Sequence, residues 1–271
     1  VTTDDWSWCF ATLNHSALFD TGVDVVTQID AAAAAGFGSV ELDVFSLRAW
    51  REDHGSLDGV SAALERHTMP CLAIAGLNIV PDPDATAADI DDLAAHCAAL
   101  TPRWLLTRVV GPVDEAHDAL RRAAAVLEPL GTRLAFEPSP FTEVRTVGDA
   151  GALLDATGVD GAVIVDSWHF FATGADWALL ARTDPARIAY LQLADALDPG
   201  DDPTADTMHR RAQPGVGRLD LQRFLAEAKR LGFPHVVSLE VLSATGRSEP
   251  VEAFARAAIE GARTAAVPSA R

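Results

Sequence analysis

The chain has 271 residues, of which 49% are hydrophobic and 22% charged, and it carries a formal net charge of −18. That length suits one large α/β domain, and the charge argues against nucleic acid and anionic membranes, both of which are held by clustered Lys and Arg. No apolar run approaches the roughly 20 residues that cross a bilayer, and the first residues, Val1 to Trp8, are too acidic and polar for a secretory leader. A cytoplasmic protein is therefore expected. Its three cysteines, Cys9, Cys71 and Cys97, read as buried free thiols.

Along the chain, short apolar runs alternate with longer amphipathic stretches. The runs predict strands at Trp8–Leu13, Ser39–Val44, Pro70–Ala75, Trp104–Val110, Arg133–Glu137, Ala162–Asp166, Ile188–Leu193 and Val236–Val241, each apolar enough to be buried on both faces. Between them the patterning predicts helices at Val23–Ala35, Leu57–His67, Ala87–Leu100, Asp114–Leu130, Val147–Thr157, Asp176–Arg182, Asp220–Leu231 and Val251–Thr264. Gly36, Gly131, Gly158 and Gly232 follow four of these and suit helix C-termini. Eight strands alternating with eight helices in one domain, residues 1–271, predict a single (β/α)8 TIM barrel with parallel strands. A Rossmann-like sheet is the competing fold, but no strand leads into a GxGxxG turn. The two glycines of Pro214-Gly-Val-Gly217 make only a weak phosphate cradle.

Active sites of such barrels lie at the C-terminal ends of the strands. There the fifth strand ends in Glu137, the sixth in Asp166 and the eighth in Glu240, while the seventh carries Gln192 and Asp195. The second holds Glu41 and Asp43. One carboxylate behind apolar residues can be a salt bridge or a helix cap, but four consecutive strands with an oxygen donor at a similar place suggest a shared ion. An all-oxygen set favours a hard cation, Mn²⁺ or Mg²⁺, over metals that prefer N and S; Co²⁺ ranks lower.

The phrases Leu134-Ala-Phe-Glu-Pro-Ser-Pro-Phe141, Ile164-Val-Asp-Ser-Trp-His-Phe-Phe171, Leu191-Gln-Leu-Ala-Asp-Ala196, Pro214-Gly-Val-Gly-Arg-Leu-Asp220 and Ser238-Leu-Glu240 occur in this order. Together they resemble the xylose isomerase-like TIM-barrel superfamily of sugar phosphate isomerases and epimerases, clearly over residues 130–245. The resemblance implies one divalent metal held by Glu137, Asp166, Gln192 and Glu240. It also implies that Glu137 and Glu240 carry protons and that His169 touches a substrate oxygen. Gln192 stands where the sugar epimerases have His, which is similar to the 3-dehydroshikimate dehydratases. The longer pattern those enzymes carry after the fifth-strand Glu is absent from Glu137–Arg145.

Beside these, His209, Arg210 and Arg211 form a basic cluster in a chain short of cations and are read as anchors for an oxygen-rich or anionic substrate. Arg145 is a weaker candidate. Trp168 is a candidate pocket wall; Phe170 and Phe171 fit a wall or the core equally. His15 and Glu41 are expected at the mouth as further substrate-binding residues. His54, His67, His96, His117 and His235 lie in helical or turn contexts and read as structural, and no GxSxG, Walker A, CxxC or HExxH motif occurs.

The chemistry expected from this set is metal-dependent isomerisation or epimerisation of a small polyhydroxylated or keto compound, through proton abstraction and a metal-stabilised enediolate. Two alternatives share the residues: a dehydratase (lyase) of the 3-dehydroshikimate or inosose type, and a non-catalytic sugar-binding or partner subunit. A DNA-cleaving metal enzyme of the same superfamily is disfavoured by the few strand-end histidines and by the charge. Whether the protein forms a homo-oligomer is left open.

Overall fold

Side chains alternate between the two faces of a strand. In Arg133-Leu-Ala-Phe-Glu137, Ala135 and Glu137 share one face, while Leu134 and Phe136 share the other. The computed structural model, which describes residues 6–267, turns this alternation into a barrel with an inside and an outside. Residues 1–5, on which the reading of the N-terminus partly rests, lie outside the described residues, as do residues 268–271.

Eight parallel strands close on themselves: β1 (Ser7–Ala11), β2 (Ser39–Asp43), β3 (Cys71–Ile79), β4 (Trp104–Val109), β5 (Arg133–Phe136), β6 (Gly161–Asp166), β7 (Ile188–Leu193) and β8 (Val236–Leu239). Each pairs with its sequence neighbours, and β1 pairs with β8. Inside, Cys9, Ala73, Ala75, Trp104, Leu106, Ala135, Ala162, Ile164 and Tyr190 form one buried cluster. The alanines leave room for Trp104 and Tyr190, so the barrel is filled rather than hollow. Outside, Leu105, Leu134, Phe136, Val163, Val165, Leu191, Val237 and Leu239 pack against the helices in a second, larger cluster.

All eight expected strands are present, shifted by a few residues at their ends; β3 runs four residues past its predicted end, to Ile79. The expected helices are present too, and Gly36, Gly131, Gly158 and Gly232 all take positive φ at helix ends. Among the described residues three α-helices were not foreseen: Val44–His54, Ser167–Ala172 and Pro203–His209. The first follows β2 without a turn, because Asp43 caps it by accepting from the Ser46 amide. The three cysteines are free and buried as expected, and burial holds each thiol well above its ordinary pKa. No described helix is long and apolar enough to cross a membrane.

Candidate active site

The inward faces of the strands end, at the C-terminal mouth, in polar residues. On β4 the inward series is Trp104, Leu106, Arg108; on β5 Ala135 leads to Glu137; on β6 Ala162 and Ile164 lead to Asp166. On β7 Tyr190 leads to Gln192, and on β8 Ser238 leads to Glu240. Strand pairing sets Asp166 beside Gln192, and Gln192 beside Ser238. Glu41 reaches the same space from β2. All four carboxylates, Glu41, Glu137, Asp166 and Glu240, are buried to 4% exposure or less.

Arg211 is what holds this charge together. It is 2% exposed, and its Nη1 donates to Asp166 Oδ2 at 2.9 Å and to Glu240 Oε2 at 3.0 Å. Its Nε and Nη2 donate to the Thr207 carbonyl and hydroxyl. Asp166 also accepts from the His169 amide at 2.8 Å. Burial pushes the Asp166 carboxyl up, but Arg211 and His169 outweigh it and the carboxyl lies below its usual range. Glu137 is pushed the other way, to about 8, by burial, with Glu240 and Asp166 adding and Arg108 opposing. Glu41 also rises to about 8, by burial and then by the charge of Glu240. Burial lowers His169 to about 3, so its imidazole is neutral at physiological pH.

Gln192 joins the two sides of the cluster. Its Nε2 donates to Glu41 Oε1 at 2.9 Å and, more loosely, to Glu240 Oε1 at 3.4 Å. Its Oε1 is buried with no hydrogen-bond partner, as are Glu41 Oε2 and His169 Nδ1. An orphaned amide oxygen among carboxylates is the donor set a hard divalent cation takes. Ligand atoms of Glu137, Asp166 and His169 lie within 4.8 Å of one another, which adds His169 to the residues able to hold a metal. Its Nε2 is 3.9 Å from Glu137 Oε1.

The structure therefore gathers Glu41, Glu137, Asp166, His169, Gln192, Arg211 and Glu240 in one place. Trp168 joins them as a wall: it is 8% exposed, lies under the Arg211 guanidinium at 5.4 Å and stacks on Phe141. Other expected site residues lie elsewhere. His15 is fully buried, edge-on against Phe254 of the helix Val251–Ala265, on the helix side of the barrel wall. His209 is exposed and bonded to Arg247, and Arg210 pairs with Asp206 at 3.0 Å. The three-residue basic cluster is split because Arg211-Ala212 pairs antiparallel with Asp195-Ala196, which turns Arg211 inward and leaves Arg210 outside. Phe170 and Phe171 pack on Trp177 and Phe224, so they belong to the core.

Two strand-end carboxylates hold loops rather than the cluster. Asp43 accepts from the hydroxyls of Thr12 and Ser16. Asp195 accepts from the amides of Ala196, Gly215, Gly217 and Leu219. The glycine turn at 214–217 is thus filled by a carboxylate of the chain itself. A Cβ on Gly217 would lie 2.3 Å from the Ala196 carbonyl oxygen, so only glycine fits there.

Sequence reasoning missed Arg108. Its Nη1 lies 3.5 Å from Glu137 Oε2, and its side chain is 38% exposed at the mouth. The signal was present, a charge two residues beyond Leu106 in an apolar strand, but it is a cation among strand-end oxygen donors.

This arrangement sits in a fold shared with proteins of known structure. The crystal structure of the IolI protein with a bound zinc atom superimposes with a TM-score of 0.82 at 21% identity, covering 96% of this chain and 97% of that one. An inosose isomerase of Bacillus subtilis is 29% identical over 55% of this chain. A 3-dehydroshikimate dehydratase of Pseudomonas aeruginosa is 30% identical over 54% of it. The matches span 53% of the first relative's length and 23% of the second's. A family model described as xylose isomerase-like TIM barrel matches residues 29–264, most of the barrel and every strand from β2 to β8. By that match the chain belongs to the xylose isomerase-like TIM-barrel family.

Proposed function

We propose that the protein is an enzyme that moves a proton between neighbouring carbons of a hydroxy-carbonyl compound, and so isomerises or epimerises a small sugar or a related keto compound. Glu137, Asp166, Gln192 and Glu240 would hold one divalent cation, Mn²⁺ or Mg²⁺. When bound, such an ion polarises the carbonyl oxygen and acidifies the adjoining C–H. The observation that carries this reading is the convergence of ligand atoms of Glu137, Asp166 and His169 within 4.8 Å of one another, with the buried Gln192 Oε1 left partnerless on the neighbouring strand. Charge supports it too: four buried carboxylates face two guanidiniums, Arg108 and Arg211, an excess that one divalent ion balances.

The residues divide the work by position. Glu137 and Glu240 stand three strands apart around the ring, just beyond β5 and just beyond β8, so they approach a bound compound from different sides. Glu240 would accept the proton, and Glu137, facing the compound from the other side, would return one taken from solvent. Arg211 fixes Glu240 by its bond to Oε2, while Oε1 takes only the loose 3.4 Å approach of Gln192. His169, neutral and buried beside Glu137, offers a ring nitrogen to a substrate oxygen. Trp168 closes the wall and excludes water. The similarity to a dehydratase supports a second outcome from the same first step, in which a β-hydroxyl leaves after proton removal.

Solvent exchange tests the proposal. The protein, freed of metal and reloaded with Mn²⁺, is incubated in D₂O with a panel of keto sugars, inososes and 3-dehydroshikimate. Deuterium is expected beside the carbonyl of at least one compound, and Glu240→Gln is expected to lose that exchange while keeping its fold. Binding without exchange across the panel would support the sugar-binding subunit instead. Undiminished exchange by Glu240→Gln would move the base to Glu137 or His169.

A further inference from the structure

The mouth holds two guanidiniums, and only one of them is committed. Arg211 gives Nε, Nη1 and Nη2 to Thr207, Asp166 and Glu240 and is 2% exposed, so it has no open face for a ligand. Arg210 is held outside by Asp206 and the Asp198 carbonyl. Arg108 differs from both. It lies on the inward face of β4, its side chain is 38% exposed, and its one ion pair is the 3.5 Å approach to Glu137. Its Nε is buried without a partner, and its guanidinium makes no hydrogen bond to any described residue. The strand beside it repeats the pattern. Asn78 on β3 pairs in register with Arg108, is half-buried, and its amide makes no hydrogen bond to a described residue. In-register neighbours on adjacent strands lie about 5 Å apart. A guanidinium and an amide, neither hydrogen-bonded to a described residue, therefore stand side by side, next to Glu137.

We propose that Arg108 and Asn78 form a carboxylate subsite, so that the substrate is an acidic hydroxy-carbonyl compound rather than a neutral sugar. This rests on the proton-transfer reading above and specifies its substrate. A guanidinium fork matches a planar carboxylate with two parallel N–H donors, and the Asn78 amide can add a third. Among the four buried carboxylates of the mouth a phosphate dianion would meet more repulsion than a single carboxylate, so the group that fits Arg108 is the smaller charge. The position also fits the chemistry, since a carboxylate held by Arg108 places the carbons attached to it against Glu137.

A pair of compounds that differ only at this group tests the subsite. Hydroxypyruvate and dihydroxyacetone share a hydroxy-ketone unit, and one carries a carboxylate where the other carries a hydroxymethyl group. Each is titrated calorimetrically into the Mn²⁺-loaded wild type, Arg108→Leu, Arg108→Lys and Asn78→Ala. Wild type is expected to bind hydroxypyruvate at least tenfold more tightly, roughly the effect of one or two charge-assisted hydrogen bonds. Arg108→Leu is expected to erase that preference, read as the ratio of the two affinities within each protein, with Arg108→Lys and Asn78→Ala in between. Should Arg108→Leu fail to fold, the Lys and Ala variants carry the test, each with a weakened preference expected. Equal binding of both compounds by wild type, or a preference that survives every variant, would overturn the subsite and leave the proton-transfer reading standing. Failure of both compounds to bind wild type would overturn the hydroxy-carbonyl reading, and this one with it.

Discussion

An amide presents an oxygen to a metal where an imidazole presents a nitrogen, and nitrogen raises affinity for Co²⁺ and Zn²⁺ relative to Mg²⁺ and Mn²⁺. Gln192 is therefore the residue whose replacement reports most directly on the ion. Gln192→His is expected to shift activation toward Co²⁺ in a series of metals, and an identical ranking for both proteins would show that Gln192 only lines the pocket. Glu41 fixes the orientation of the same amide by accepting from Nε2. Partners that orient a ligand typically contribute 10–100-fold in metal affinity. Glu41→Ala is expected to weaken Mn²⁺ binding by about tenfold, whereas Glu41→Gln, which keeps an accepting oxygen, is expected to stay near wild type; equal losses in both would show that charge, not orientation, is what matters. At this scale the sequence was legible where a charge interrupted an apolar strand, as at Glu137, Asp166 and Glu240. It was not legible where direction decides. Nothing in His209-Arg-Arg211 says that the third residue turns inward and the second outward, since a two-residue pairing with Asp195-Ala196 settles it. His15 was misplaced for the same reason: it follows β1 on a turn of 3-10 helix, Thr12–His15, which breaks the strand's alternation.

Single elements position these residues, and the loop after β7 shows how. Asp195 gathers four backbone amides from residues 196 to 219, and that loop carries Arg211 back over the mouth. Removing the carboxylate deprives four backbone amides of their acceptor, three of them in a partly exposed turn, a loss of about 2 kcal/mol. Asp195→Ala is expected to show that loss in urea unfolding and to weaken Mn²⁺ binding as Arg211 loosens. A variant with wild-type stability would mean that the turn holds itself. Elements were legible from sequence where apolar period and glycine stops agree, as in the helix Val147–Thr157, found at its expected bounds. The helix Val44–His54 was not, because Asp43 was read as a mouth carboxylate when it serves as that helix's N-cap.

For the whole molecule, the acidic centre ties stability to pH and to metal. Glu41 and Glu137 each bind a proton more tightly in the folded state, with pKa values raised from 4.5 to about 8 by burial first. The folded protein then holds more protons than the unfolded chain across that window, so stability falls as pH rises through it and levels off above. Metal-free protein is expected to melt at a lower temperature at pH 8 than at pH 6, and saturating Mn²⁺ is expected to remove most of that difference by taking the place of the protons. A metal-free melting temperature that rises over the same interval would contradict the assignment. The barrel itself was the most legible feature, since eight apolar runs separated by amphipathic helices leave few other closed arrangements. The central claim is a single ion held by the ends of β5 to β8, and anomalous scattering from a crystal grown with Mn²⁺ tests it most directly. One peak is expected, with oxygens of Glu137, Asp166, Gln192 and Glu240 at about 2.0–2.3 Å, the range for Mn²⁺ with oxygen donors. No peak among these residues, or a peak on Glu137, Asp166 and His169 with Gln192 turned away, would contradict it.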